Sequence, residues 1–81
     1  MKLQRTKRFA KSYASAPEAI CRAAEKQLRL LMADLSHPSL RAKKYDEGHD
    51  IWQARINRDW RLYFQIRGNC YVLLEMSKHP K

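Results

Sequence analysis

From residue 51 to residue 76 the chain reads IWQARINRDWRLYFQIRGNCYVLLEM, and its apolar residues recur at alternate positions in successive runs. Trp52, Ala54 and Ile56 make the first run, Trp60, Leu62, Phe64 and Ile66 the second, and Val72, Leu74 and Met76 the third. A period of two marks a half-buried strand, because successive side chains leave a pleated backbone on opposite sides. Between the runs stand Asn57-Arg58-Asp59 and Arg67-Gly68-Asn69, turn-forming triplets of a common hairpin length. Consecutive antiparallel hairpins with one apolar face need a second layer to cover that face. This requirement limits the fold more than any other stretch of the chain.

Three-residue loops at both turns pair Ile56 with Trp60, Phe64 with Val72 and Leu62 with Leu74, so that every apolar run shares one side. A two-residue loop at Gly68-Asn69 is chemically reasonable too, but it sets Leu62 opposite Glu75 and would bury a lone carboxylate. A slip of one residue sends every side chain to the other face, so the burial pattern selects the longer loop. On the opposite face Arg55 then lies across from Arg61, and Arg61 across from Glu75, with Gln53, Tyr63, Gln65 and Tyr71 around them. Like charges directly opposed in a sheet cost from a few tenths of a kcal/mol to ~1 kcal/mol. Glu75 can neutralise one of the pair. A solvated polar face would account for a single arginine. A pair flanked by Tyr is at least as well explained as an anion site, since the guanidinium fork matches phosphate oxygens.

The preceding residues supply the covering layer. Residues 1–5 read as a brief edge or joining strand, and Thr6 can cap a short helix that carries Phe9 and Tyr13 on one face. Ser15-Ala16-Pro17 breaks it, and Pro17 serves as the first residue of a longer helix over residues 17–35. Its stripe of Ile20, Ala24, Leu28, Leu31 and Leu35 must lie on the Trp/Leu/Phe face of the sheet. Arg22, Lys26 and Arg29 form the polar flank. After Ser36-His37-Pro38-Ser39, residues 40–45 resume an extended pattern with Leu40 and Ala42 inward and Arg41 and Lys43 outward. Lys44 would point inward unless it ends the strand or a bulge frees it. The reading is one α+β domain over residues 1–81: two helices on one face of a small, mainly antiparallel sheet, in the order βααβββ.

A chain of 81 residues buries little more than ~60% of its unfolded surface, so one core must engage every element. Its net charge of +9 speaks of partners: nucleic acid, an anionic membrane, or an acidic protein. Membrane is the weakest of these, with no apolar run near the ~18 residues needed to span. The opening MKLQRTKRFA lacks the apolar core of a signal peptide, which makes cytoplasm the expected compartment. Cys21 and Cys70 form no CxxC and read as reduced, space-filling thiols.

His37, His49 and His79 are scattered without metal-ligand spacing, and Gly48 and Gly68 sit in turns, so neither a metal nor a phosphate loop is expected. The residues left with chemistry are Arg41, Lys43, Arg55 and Arg61, with Lys44 a further candidate and His79 at the edge. That set suits RNA cleavage in which the ribose 2′-OH attacks the adjacent phosphate. The reaction needs a base, cations for the pentacoordinate phosphate, and a proton for the leaving 5′ oxygen. Arg55 and Arg61 supply charge. His79 is the natural acid–base candidate, against the plainer reading of a disordered terminal histidine. Lys43 could be the base where neighbouring cations favour its neutral form. Arg41, Lys44, Tyr63, Tyr71 and Lys78 complete the expected RNA-binding surface, with no cofactor.

From Phe9 to His79 the chain resembles the RelE/ParE superfamily of toxins from type II toxin–antitoxin modules. The resemblance rests on RFAKSYASAPEAI, HPSLRAKKY, WQARINRDWRLYFQI and YVLLEMSKH. It implies a RelE-like fold and, for the RelE branch, metal-free, ribosome-dependent cleavage of mRNA, with ribosomal RNA contacts and inhibited translation. Arg61 falls where RelE-like enzymes carry the phosphate-stabilising arginine, Arg55 and Lys43 fall near their strand cations, and His79 where relatives have a terminal Arg or His. Many active relatives continue into a Tyr that stacks on the base; here Tyr63 or Tyr71 would have to substitute. An acidic antitoxin that wraps the cationic body is the expected partner. A ParE-like DNA gyrase poison and an inactive basic module that binds RNA or a partner remain the alternatives.

Overall fold

The structure is a computed structural model and describes residues 1–79. In chain order it contains β1 (Lys2–Arg5), α1 (Lys7–Ser15), α2 (Glu18–Ala33), a 3-10 turn (Pro38–Leu40), β2 (Lys43–Asp46), β3 (Ile51–Arg55), β4 (Trp60–Arg67) and β5 (Cys70–Lys78). The strands form one sheet in the order β1-β5-β4-β3-β2, antiparallel except where β1 runs parallel to β5. Both helices cover one face, as the α+β reading requires. Four strands follow the helices where the order βααβββ counts three.

Thr6 starts α1 and also fastens it. Its hydroxyl accepts from Phe9 N at 3.1 Å, capping the helix, and donates to Leu73 O of β5 at 2.8 Å. Pro17 sits one position outside α2 as its cap residue, with Glu18 in the first turn. Ile20, Ala24, Leu28 and Leu31 are buried together, as their three-four spacing demands. The helix stops at Ala33, so Leu35 packs on the core from beyond its end. Phe9, Leu28, Leu31, Leu40, Leu62, Phe64, Leu73 and Met76 fill the space between the layers, each under 2% exposed or at it. No helix among the described residues is long and apolar enough to cross a membrane.

The first hairpin has the register read from its alternation. Arg55 faces Arg61, Ala54 faces Leu62, Trp52 faces Phe64, and Ile56 N donates to Trp60 O at 3.0 Å. The second hairpin does not. Arg67 pairs with Cys70, leaving a two-residue loop in which Gly68 takes φ +57°, a conformation glycine adopts without steric penalty. The expected pairs Phe64–Val72 and Leu62–Leu74 are replaced by Phe64–Leu73 and Leu62–Met76. Between them the register shifts, and Leu74 is the unopposed residue of a bulge. That bulge removes the objection to the short loop. It switches parity along β5, so Leu73 and Met76 both turn inward while Glu75 escapes to the open face. Met76 N, at the bulge, donates to Ser12 Oγ of α1 at 3.1 Å.

This register moves several side chains. Tyr71, expected on the open face, is 5% exposed in the core and meets the Phe64 ring edge-on at 5.7 Å. Arg61 faces Ser77, and Glu75 faces Tyr63. The extended run expected over 40–45 begins only at Lys43, because Leu40 ends the 3-10 turn and Arg41 caps it at φ 47°. Lys44 pairs with Trp52 just before a register irregularity at Tyr45, and stays on the helix-covered side only partly buried. Its ammonium lies over the Trp52 ring at 5.2 Å and pairs with Asp50.

Candidate functional site

Arg55 closes β3 and Arg61 is the second residue of β4, so the turn between them sets where both guanidiniums stand. Asn57 Oδ1 accepts from Asp59 N and Trp60 N, both at 2.9 Å, which folds the turn on itself. Arg61 Nη1 then donates to Asn57 O at 2.8 Å and Trp60 O at 3.0 Å. The guanidinium is thus held by the turn's own carbonyls. At the far end of β5, His79 N donates to Asp59 O at 2.6 Å, which brings the terminal histidine to the same turn.

A side chain from the other layer completes the scaffold. Gln27 of α2 is 7% exposed, and its Nε2 donates to Arg55 O at 2.8 Å and to Ser39 O at 3.2 Å. One buried amide therefore ties the end of β3 to the 3-10 turn that delivers Arg41. Arg41 itself adopts a left-handed backbone conformation that costs a non-glycine residue ~1–2 kcal/mol. Such strain persists only where surrounding contacts hold it.

These constraints gather Arg41, Lys43, Gln53, Arg55, Arg61 and His79 around a cavity of about 190 Å³. Among the described residues its lining includes no carboxylate, and none of its basic groups takes part in an ion pair. Glu75, which was expected to neutralise one arginine, is bound by Arg8 at 3.0 Å. The other histidines are engaged: His37 Nδ1 accepts from Ser39 N at 3.2 Å, and His49 Nδ1 lies 2.8 Å from Asp46 Oδ2. Four basic side chains converge on one hollow with no counter-charge among the described residues, an arrangement that stabilises a bound or developing anion.

Tyr63 and Lys78 line a second cavity of about 290 Å³, beside the first on the open face. Burial pushes the Tyr63 phenol above its ordinary value and Tyr45 adds to this, against the pull of Ser77 and Arg61. It therefore keeps its proton near neutrality and acts as a hydrogen-bonding and stacking group. Two expected contacts lie elsewhere: Tyr71 in the core, and Lys44 over Trp52 on the helix-covered side. Sequence reasoning also missed residues. Tyr45 is two positions after Lys43 and so shares its face, a signal that was legible. Gln53 was placed on this face by the alternation, two positions before Arg55, but not counted among the site residues. Gln27 gave no such sign, since a lone glutamine on a helix flank ordinarily faces water.

A family model of the ParE-like toxin domain matches residues 18–81. The chain belongs to the ParE-like toxin domain family. Solved structures reproduce the fold of this toxin domain over nearly its whole length. YafQ from E. coli strain BL21(DE3) aligns at TM-score 0.81 and 13% identity, covering 96% of this chain and 92% of that one. A YoeB/ParE toxin from Agrobacterium tumefaciens aligns at 0.81 and 14%, covering 99% and 100%. The archaeal RelE–RelB complex from Pyrococcus horikoshii OT3 aligns at 0.77 and 17%, covering 95% and 92%. The RelE and YoeB/ParE toxins among them carry the names of the superfamily that the sequence motifs resemble. Among curated proteins, none matches this ParE-like chain by sequence.

Proposed function

We propose that this domain is the toxin of a type II toxin–antitoxin pair and that it inhibits translation by cutting mRNA on the ribosome. The observation that carries the reading is the basic cavity built from Arg41, Lys43, Arg55, Arg61 and His79, with no carboxylate among its described lining residues. In the proposed reaction the 2′ oxygen bonds to the adjacent phosphorus as its proton passes to the unprotonated amine of Lys43. The P–O5′ bond breaks as His79 protonates the 5′ oxygen, leaving a 2′,3′-cyclic phosphate and a 5′ hydroxyl. Arg55 and Arg61 stabilise the charge that builds on the non-bridging oxygens, with Arg61 fixed in advance by the turn carbonyls. Such preorganised donors are worth ~10²–10³ in rate when one is removed.

The partner reading follows from charge and from the solved relatives. Those include RelE with RelB and, from Staphylococcus aureus, YoeB with YefM, the latter described as a toxin–antitoxin complex. An acidic antitoxin laid across the open face would neutralise the cavity and exclude RNA. Programmed ribosomes test the whole proposal. The wild-type domain should cut their mRNA, and Arg55→Gln and His79→Gln should each lose most of the activity while keeping the fold. Intact mRNA together with blocked gyrase supercoiling would instead select the gyrase reading, which the ParE-like family model keeps in play.

A further inference from the structure

The 290 Å³ cavity next to the cationic one has a different chemistry. Tyr45 meets Tyr63 edge to face at 4.9 Å, with Ile51 and Leu74 beside them, so much of its surface is aromatic and aliphatic. Tyr45 is 60% exposed, a large ring left uncovered on the open face. Glu75, Ser77 and Lys78 bring polar groups to the same hollow. The Glu75 carboxylate is steadied by Arg8, which contacts Oε2 at 3.0 Å. Each carboxylate oxygen carries two acceptor sites, so this contact leaves capacity on both.

Strand register fixes how far this hollow lies from the cationic cavity. Tyr63 is the direct cross-strand partner of Gln53, and Ser77 of Arg61. Gln53 and Arg61 line one cavity, Tyr63 and Ser77 the other. Directly opposed residues hold their Cβ atoms ~4.5–5.5 Å apart, so the two hollows are separated by the reach of a single nucleotide.

We propose that the aromatic cavity is a nucleobase subsite that selects guanine, on the nucleotide whose phosphate occupies the cationic cavity. This rests on the RNA reading above and names the base it takes. Single-stranded RNA is read by splaying bases onto aromatic side chains and bonding their Watson–Crick edges, and Tyr45 with Tyr63 provides the ring surface. A carboxylate only accepts hydrogen bonds. Guanine alone offers it two adjacent donors, N1–H and the N2 amino group. Adenine and cytosine place a ring acceptor beside their amino group, and uracil sets one donor between two carbonyls, so each would bring a lone pair against Glu75. Lys78 and Ser77 are the donors available to guanine O6. The bulge at Leu74 creates this site, because without its change of parity Glu75 would face the core.

Nucleotide titration followed by ¹H–¹⁵N NMR tests the proposal without ribosomes or cleavage. Guanosine 3′-monophosphate should bind at least tenfold more tightly than the adenosine, cytidine and uridine 3′-monophosphates, shifting the amides of Tyr45, Tyr63 and Glu75. Glu75→Gln should reduce guanosine binding to the level of the others. Tyr45→Ala should weaken all of them without changing their order, and Arg55→Gln should weaken all equally. Equal binding of all the nucleotides, with shifts confined to the cationic cavity, would overturn the guanine subsite and leave the phosphate site intact. Absence of any shift at millimolar nucleotide would overturn it as well; whether programmed ribosomes are still cut then decides the cleavage reading separately.

Discussion

Arg55→Gln should make the protein more stable as it makes it less active. Arg55 and Arg61 are directly opposed across β3 and β4, and Arg41 and Lys43 stand in the same hollow with no carboxylate among its described lining residues. Guanidiniums on such a pair splay to roughly 7 Å, between the direct and diagonal cross-strand spacings. At that separation the repulsion is ~0.6 kcal/mol in bulk water and ~2.4 kcal/mol at the effective dielectric of a protein surface. Ordinary salt, with a Debye length of ~10 Å, roughly halves both. The site is half open to solvent, which favours the lower end, so the gain on removing one charge is about 0.5 kcal/mol. For a domain of this size that is a rise of roughly 2–4 °C in Tm. Glutamine keeps a planar polar end on a shorter stem, and so limits the loss of packing. Thermal unfolding should show the rise at low salt and its near disappearance at 1 M NaCl, where the Debye length is ~3 Å. Cleavage should fall by ~10²–10³. A variant with a lowered Tm, or a gain that salt does not erase, would mean that Arg55 is held by packing and that the cavity carries no excess of positive charge.

Other expectations follow from the groups around this site. Gln27→Leu should cost ~1–3 kcal/mol in urea unfolding, because it strips the buried amide donor from the Arg55 and Ser39 carbonyls; it should also lower cleavage by displacing Arg41 and Arg55. The loop after β2 should loosen at both pH extremes. Asp50, lowered by its Lys44 hydrogen bond, and Asp46, lowered by its His49 hydrogen bond, have folded values below the ordinary 3.8. Their contribution is complete above that value and is lost as pH falls through the folded ones. Lys44, raised above 10.5 chiefly by its hydrogen bond to Asp50, contributes fully below that value and stops as pH rises through the raised one. Amide exchange in residues 46–50 across both windows checks this, and a profile flat in acid would refute it.

Most of the cationic cavity was legible before any coordinates. Alternation in residues 51–66 places Ala54, Leu62 and Phe64 on one side and Arg55 and Arg61 on the other, because a three-residue loop around Asn57 leaves little choice of register. Lys43 and Arg41 followed from the same parity, although Arg41 arrives through a strained cap rather than along a strand. The second hairpin was less readable. Gly68-Asn69 satisfies the local rules of a two-residue loop, yet Glu75 argued against it, and a bulge that serves both demands leaves no mark in a period-two pattern. Tyr71 was misplaced for that reason, and Glu75, expected outward opposite Arg61, stands outward opposite Tyr63 instead.

Local periodicity therefore settled the layers, the first hairpin and the sign of the exposed face, since each depends on neighbours within a few residues. Contacts between distant segments decided the rest. Ser12 on α1 receives Met76 N at the bulge of β5, Gln27 on α2 holds the carbonyls behind Arg41 and Arg55, and Asp59 accepts the backbone of His79. The physical reason is that a buried backbone group must find a partner somewhere, and which partner lies within reach is a property of the assembled layers.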